Sequence, residues 1–69
     1  MLSTESAIFS SLCANREDFN KALNNTWNTK ELQEAMSSLT YKRNLSKDER
    51  NSRKSAINDR KTRLEQQQN

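Results

Sequence analysis

The sequence predicts an all-α protein of three helices, at about 3–25, 29–40 and 46–66, arranged as a small helical bundle or hairpin. Three observations support this fold class. The 69 residues include no glycine and no proline, on which most hairpin turns and loops depend. Apolar residues recur every three or four positions, as on one face of a helix. Two segments also begin with a cap residue that precedes a glutamate by three positions, a typical helix start.

An apolar stripe predicts the first helix, at about 3–25. When the segment is projected as a helix, its members fall on one face: Ile8, Phe9, Leu12, Phe19, Leu23 and Trp27. Because the stripe stays in register across Asn15, we expect one continuous helix. The alternative is that Asn15, followed by Glu17 and Asp18, caps a second and shorter helix. We expect the aromatic members of the stripe and Cys13 to be buried.

Cap residues indicate where the second and third helices begin. Asn28 precedes Glu31 by three positions, and Ser46 precedes Glu49 in the same way. Because glycine is absent, we expect asparagine in the left-handed conformation at helix ends. The helix at 29–40 has one narrow apolar face, formed by Leu32, Ala35, Met36 and Leu39.

The last third of the chain is strongly basic. Residues 42–63 contain nine Lys or Arg against three acidic residues, a local charge of +6, whereas residues 1–41 carry −2. Projected as a helix, the cations gather on one face around Ile57 and Leu64. Such a face can follow a phosphate backbone without reading the bases. The predicted contacts to nucleic acid or to an acidic partner are Lys47, Arg50, Arg53, Lys54, Arg60, Lys61 and Arg63.

Two other interpretations of the basic helix stay open. In one, its cations bind an acidic protein. In the other, the helix has no ligand: Ile57 and Leu64 pack on the first two helices, and the Lys and Arg stems cover the seam. No aromatic residue lies between the cations, so base stacking on single strands is not expected.

The composition argues against catalysis, metals and cofactors. There is no histidine and only one cysteine, which excludes an internal disulfide and leaves too few ligands for zinc. No nucleophile has an obvious base, so we expect no enzyme activity and no cofactor. No apolar segment approaches the ~20 residues that span a membrane, and no leader pattern is present, so a cytoplasmic protein is expected.

The length predicts one small helical domain, 1–69, with a disordered tail at 67–69. A chain of this size buries little apolar surface. We therefore expect a homodimer or a protein stabilised by its partner.

A family resemblance is carried by residues spread between positions 18 and 64: Asp18, Phe19, Leu23, Leu32, Met36, Leu45, Ser46, Glu49, Ser55, Ala56, Arg60 and Leu64. With two inserted residues allowed before Leu45, residues 18–64 resemble the Hha/YmoA group of haemolysin-expression modulators, small enterobacterial proteins. The family has aromatic residues where Arg53 and Lys54 stand, and its C-terminal tryptophan-containing segment has no counterpart. The resemblance implies a helical protein that docks on the nucleoid protein H-NS and tunes gene silencing.

Three functional hypotheses follow from these patterns. In the first, a small regulatory protein binds DNA or a DNA-bound complex through the basic helix. In the second, a helical adaptor, inhibitor or chaperone binds one protein through apolar side chains. In the third, the chain forms a helical structural dimer with no ligand. Leu32, Met36 and Leu39 form an alternative apolar contact face. The predicted protein-interface residues are Ile8, Phe9, Leu12, Phe19, Trp27, Ile57 and Leu64.

Overall fold

A computed structural model of the protein describes residues 7–67. Four α-helices follow one another: α1 (Ala7–Ser11), α2 (Arg16–Asn24), α3 (Thr29–Leu39) and α4 (Lys47–Gln67). No strand occurs in this part of the chain. The all-α prediction is therefore confirmed there, although the number of helices is four and not three.

The predicted continuous helix at 3–25 is wrong, because the chain breaks between α1 and α2. Asn15 has an extended backbone (φ −61°, ψ 162°), and its side-chain oxygen accepts a hydrogen bond from the Asp18 N–H at 2.8 Å. Glu17 and Asp18 lie in the first turn of α2, where the helix dipole favours acids. The alternative, in which Asn15 caps a second helix, is confirmed; residues 3–6 of the predicted helix lie outside the described part of the chain.

The predicted starts of the last two helices are confirmed. The Asn28 side chain accepts from the Lys30 N–H at 2.9 Å and from the Glu31 N–H at 3.4 Å. The Ser46 hydroxyl accepts from the Glu49 N–H at 3.1 Å. The predicted tail at 67–69 begins one residue too early, since Gln67 still belongs to α4; residues 68 and 69 lie outside the described range.

All four helices and the turn after α1 contribute to one apolar core. The long α4 packs mainly on α3, whereas α1 packs on α2 and α3. Because α4 has only two large apolar residues on this face, Ile57 and Leu64 carry its apolar burial. The buried cluster consists of Ile8, Leu12, Phe19, Leu23, Leu32, Ala35, Leu39, Ile57 and Leu64.

Two residues expected in the core lie at the surface. Trp27 is 66% exposed, because α2 ends at Asn24 and the helical spacing does not continue through the connection. Thr26 is buried in its place and donates its hydroxyl to the Ala22 carbonyl at 2.8 Å. Cys13 is exposed as well, since it lies in the turn between α1 and α2 and on no helix face.

The helix ends do not use the left-handed conformation that we expected of asparagine. No residue of the described chain has a positive φ. Asn25, which ends α2, has φ −97° and ψ 4°, and its N–H turns back to carbonyls of the last turn. The carbonyls of Leu12, Asn24 and Thr26 instead accept hydrogen bonds from arginine side chains of α4.

Candidate nucleic-acid interface

The basic face predicted on α4 is the face that turns toward the rest of the protein. Ile57 and Leu64 are buried at its centre, as the ligand-free interpretation expected. Arg53 is only 4% exposed, which corrects its predicted place on an open cationic face. The reason is that Arg53 lies one turn before Ile57 and enters the core with it. Arg50, Lys54, Arg60 and Lys61 are half-buried, and only Lys47 and Arg63 of the seven predicted contacts are exposed.

Arg53 joins α4 to the end of α1. Its Nη1 donates to the Leu12 carbonyl at 2.7 Å, and its Nε donates to the Glu49 carboxylate at 2.8 Å. The guanidinium carbon also lies 5.0 Å from the centroid of the Phe19 ring. A buried charge is tolerated here because hydrogen bonds and an aromatic face replace water.

Arg60 makes the equivalent contact with the end of α2. Its Nε donates to the Thr26 carbonyl at 3.2 Å, and its Nη2 donates to the Asn24 carbonyl at 3.1 Å. The same guanidinium lies over the Trp27 ring at 4.7 Å from its centroid. One side chain therefore satisfies two carbonyls and covers an aromatic ring.

Arg50 reaches the chain just beyond α3, where its Nη1 donates to the Lys42 carbonyl at 3.4 Å. We call Arg50, Arg53 and Arg60 the capping arginines, because each donates to a carbonyl at or just after the end of a different preceding helix. Cations at helix C-termini also interact favourably with the helix dipole. In a chain without glycine, arginines from α4 thus take over part of the usual C-cap role.

Glu49 connects two arginines from different elements. Its carboxylate accepts from Arg53 at 2.8 Å and from Arg16 Nη1 at 3.1 Å, and Arg16 also donates to the Ser52 hydroxyl at 3.0 Å. The hydrogen bond from Arg53, followed by that from Arg16, lowers the pKa of Glu49 below its ordinary value of 4.5. Glu49 is therefore ionised at neutral pH and holds the α1–α2 region against α4.

A second group of cations surrounds the connection between α3 and α4. We call Lys42, Arg43, Lys47, Arg50 and Lys54 the basic corner; the Arg50 bond to Lys42 brings the connection against α4. Three of these cations, Lys47, Arg50 and Lys54, line a recess of about 170 Å³ that has no carboxylate among its lining residues. None of the five cations forms a salt bridge within residues 7–67. The recess is lined by Thr40, Lys47, Arg50, Asn51 and Lys54.

The predicted protein-interface residues are mostly internal. Phe9 is half-buried and Trp27 is exposed, but the other five are buried in the chain's own core: Ile8, Leu12, Phe19, Ile57 and Leu64. In the alternative face, Leu32 and Leu39 are buried and Met36 is half-buried. In this conformation, these buried residues have no side-chain surface for a partner.

Sequence reasoning missed two features of this surface. It did not identify Thr40 and Asn51 as polar neighbours of the basic residues, since both are uncharged and were not included in the charge pattern. It also did not assign the arginines to helix ends. The sequence did contain a signal for that role. Helices commonly end at a glycine, and this chain has none, so the C-termini of three helices need other hydrogen-bond donors.

Comparison with known proteins gave no match. No family model, curated protein or solved structure matches this chain. The resemblance to the Hha/YmoA group therefore stays a prediction. Among the described residues, no three His, Cys, Asp or Glu side chains lie close enough to hold a metal ion. None of the helices in that range has both the length and the apolar character to cross a membrane.

Proposed function

We propose that this protein is a small non-enzymatic regulatory protein that binds DNA, or a complex bound to DNA, through the basic corner. The observation that supports this proposal most strongly is the recess, which brings three cations together without a neighbouring carboxylate. Cations in such an arrangement favour an anion from outside the chain, because no carboxylate lines the recess. A phosphate backbone supplies anions at regular spacing.

The dimensions of the basic corner suit a nucleic-acid strand. Lys47 and Lys54 are seven residues apart on α4, a rise of about 10 Å. Phosphates of one DNA strand are spaced about 3.4 Å along the helix axis, so this row spans about three of them. Lysine and arginine contacts to phosphates fix position and carry no base information, so the proposed binding is independent of sequence.

The basic corner is a smaller contact surface than the whole basic helix. Arg53 and Arg60 are engaged with backbone carbonyls and with aromatic rings. Lys61 pairs with Glu65 at 3.3 Å, and Arg63 lies about 24 Å along α4 from Lys47. These residues contribute to the positive electrostatic potential around the protein, while the basic corner makes the direct contacts with phosphates.

The proposal is tested by the salt dependence of duplex binding, measured by fluorescence anisotropy of a labelled duplex. Replacing Lys47 and Lys54 by Glu should weaken binding by about tenfold or more and lower the slope of log K against log salt by about two. The matched control replaces Lys21 and Lys30 by Glu, which changes the net charge equally at exposed positions of α2 and α3. Equal losses in both variants would contradict a localised contact.

One observation favours a second candidate, the adaptor that binds a single protein. Trp27 is largely exposed, and Arg60 lies against its ring; tryptophan and arginine are enriched among residues that dominate protein interfaces. A pull-down from the native host, with and without nuclease, separates the two candidates. A partner retained after nuclease and lost with Trp27→Ala would favour the adaptor, and a partner lost with nuclease would favour nucleic acid.

A further inference from the structure

We infer that the recess of the basic corner is a binding site for one phosphate group. The recess lies between Thr40, the C-cap residue of α3, and residues 47–54 at the start of α4. This inference rests on the proposed function only for the source of the phosphate, which is a nucleic-acid backbone. The contacts themselves would recognise any tetrahedral oxyanion.

Positive charge exceeds negative charge around the recess. The carbonyl end of α3 contributes a partial charge of about −0.5, whereas Lys47, Arg50 and Lys54 contribute three full positive charges. The acids nearest in sequence do not compensate: Asp48 is exposed and absent from the lining, and Glu49 accepts from Arg53 and Arg16. The net charge stays positive by about 2.5, which is more than the single negative charge of one backbone phosphodiester.

The lining residues also supply hydrogen-bond donors. Lys54 donates to the Thr40 hydroxyl oxygen at 3.0 Å, so the Thr40 hydroxyl hydrogen stays available for another acceptor. Arg50 uses Nη1 for the Lys42 carbonyl and keeps further N–H groups. Asn51 adds an amide, and Lys47 adds an exposed ammonium group. Charge-assisted hydrogen bonds of this kind are the strong contacts of phosphate sites.

The recess is large enough for a phosphate group. Its volume of about 170 Å³ accommodates a tetrahedral oxyanion with some hydration, and the recess is open to solvent on one side. Because Lys47 and Asn51 are exposed, the rest of a nucleotide can extend outward from the recess.

The inference is tested by NMR titration of the isotope-labelled protein with inorganic phosphate, at constant ionic strength maintained with chloride. We expect saturable shifts of the Asn51 side-chain amide, the Arg50 Nε–H and the Thr40 backbone amide. Asn51→Asp places a carboxylate in the recess and should weaken phosphate binding by about tenfold. Asn58→Asp makes the same charge change two turns further along the exposed side of α4 and should leave the affinity unchanged. Linear shifts that equal those in chloride, or equal losses in the two variants, would overturn the inference.

A duplex titration of the same sample separates this inference from the proposed function. If the bound phosphate comes from a backbone, the duplex shifts the same three signals and Asn51→Asp weakens duplex binding more than Asn58→Asp does. Saturable phosphate binding without duplex binding would support the recess and remove the proposed function. Duplex binding without saturable phosphate binding would remove the recess and leave the proposed function in place.

Discussion

The cations of α4 form two groups that look alike in the sequence and differ in the structure. Arg53 and Arg60 point into the protein, where their guanidinium groups contact backbone carbonyls and aromatic rings. Lys47 and Lys54 line a recess that opens to solvent. The difference shows that a count of cations in the sequence does not locate a binding surface. The packing of the helix that carries the cations must also be known.

Residue type accounts for this division. Arginine presents five donors on a planar group, so Arg60 can reach two carbonyls and cover a ring at the same time. Lysine is a compact and strongly hydrated charge, which favours the surface. Arg50 belongs to both groups, since it donates to the Lys42 carbonyl and lines the recess.

The largest effect is expected from Arg53→Met, which keeps an apolar stem and removes the buried guanidinium. The Leu12 carbonyl loses a donor and Glu49 loses its shorter ion pair. We expect a loss of about 3 kcal/mol in the free energy of unfolding, measured by urea denaturation with circular dichroism. A protein of this size has only about 3–10 kcal/mol in total. Arg63→Met is the exposed control, and a similar loss there would contradict the assigned role.

A smaller effect is expected from Arg60→Met, because Arg60 is only half-buried. The loss of its bonds to Thr26 and Asn24 should cost about 1–2 kcal/mol of unfolding free energy. Trp27 is the only tryptophan, so its fluorescence reports directly on the removal of the guanidinium from its ring. An unchanged emission spectrum would indicate that this contact does not persist in solution.

The ion pairs of Glu49 predict a pH dependence of stability. The folded-state pKa of Glu49 is lowered, so its contribution is fully present above the unfolded value of 4.5 and is lost as the pH falls through the folded value. Between about pH 6 and about pH 3, the wild type should therefore lose more stability than Glu49→Gln. If urea denaturation showed equal losses of unfolding free energy in the wild type and in Glu49→Gln, Glu49 would not contribute to the acid sensitivity.

The smallest change in stability is expected at the basic corner. Replacing Lys47 and Lys54 by Gln should alter the free energy of unfolding by less than about 0.5 kcal/mol, because Lys47 is exposed and the half-buried Lys54 makes a single hydrogen bond, to the Thr40 hydroxyl. The same variant should lower the salt slope of duplex binding by about two. A large loss of stability would place these lysines with the capping arginines and remove the distinction between the two groups.

Local signals predicted much of the fold. Asn28 and Ser46 located the starts of α3 and α4 because each cap bonds only to N–H groups within the next three residues. The break at Asn15 was harder to predict, since the apolar stripe suits both one helix and two. The choice depends on how α1 and α2 pack against α3, and that packing is not a local property.

The candidate site was predicted only in part. The position of Ile57 and Leu64 at the centre of the basic face indicated that this face is buried, but it did not show which cations would follow them inward. Arg53 does so because the Leu12 carbonyl and the Phe19 ring meet it there. Such tertiary partners lie about 30–40 positions away in sequence, and no periodicity of α4 reveals them.

The division between the two groups of cations is tested most directly by the arginine Nε–Hε signals in an NMR spectrum recorded with and without duplex DNA. The Nε groups of Arg53 and Arg60 donate to Glu49 and to the Thr26 carbonyl. We predict that their signals exchange slowly with solvent and do not move when the duplex is added, while the Arg50 signal shifts. Fast exchange and duplex-dependent shifts at Arg53 and Arg60, with Arg50 unchanged, would contradict the account.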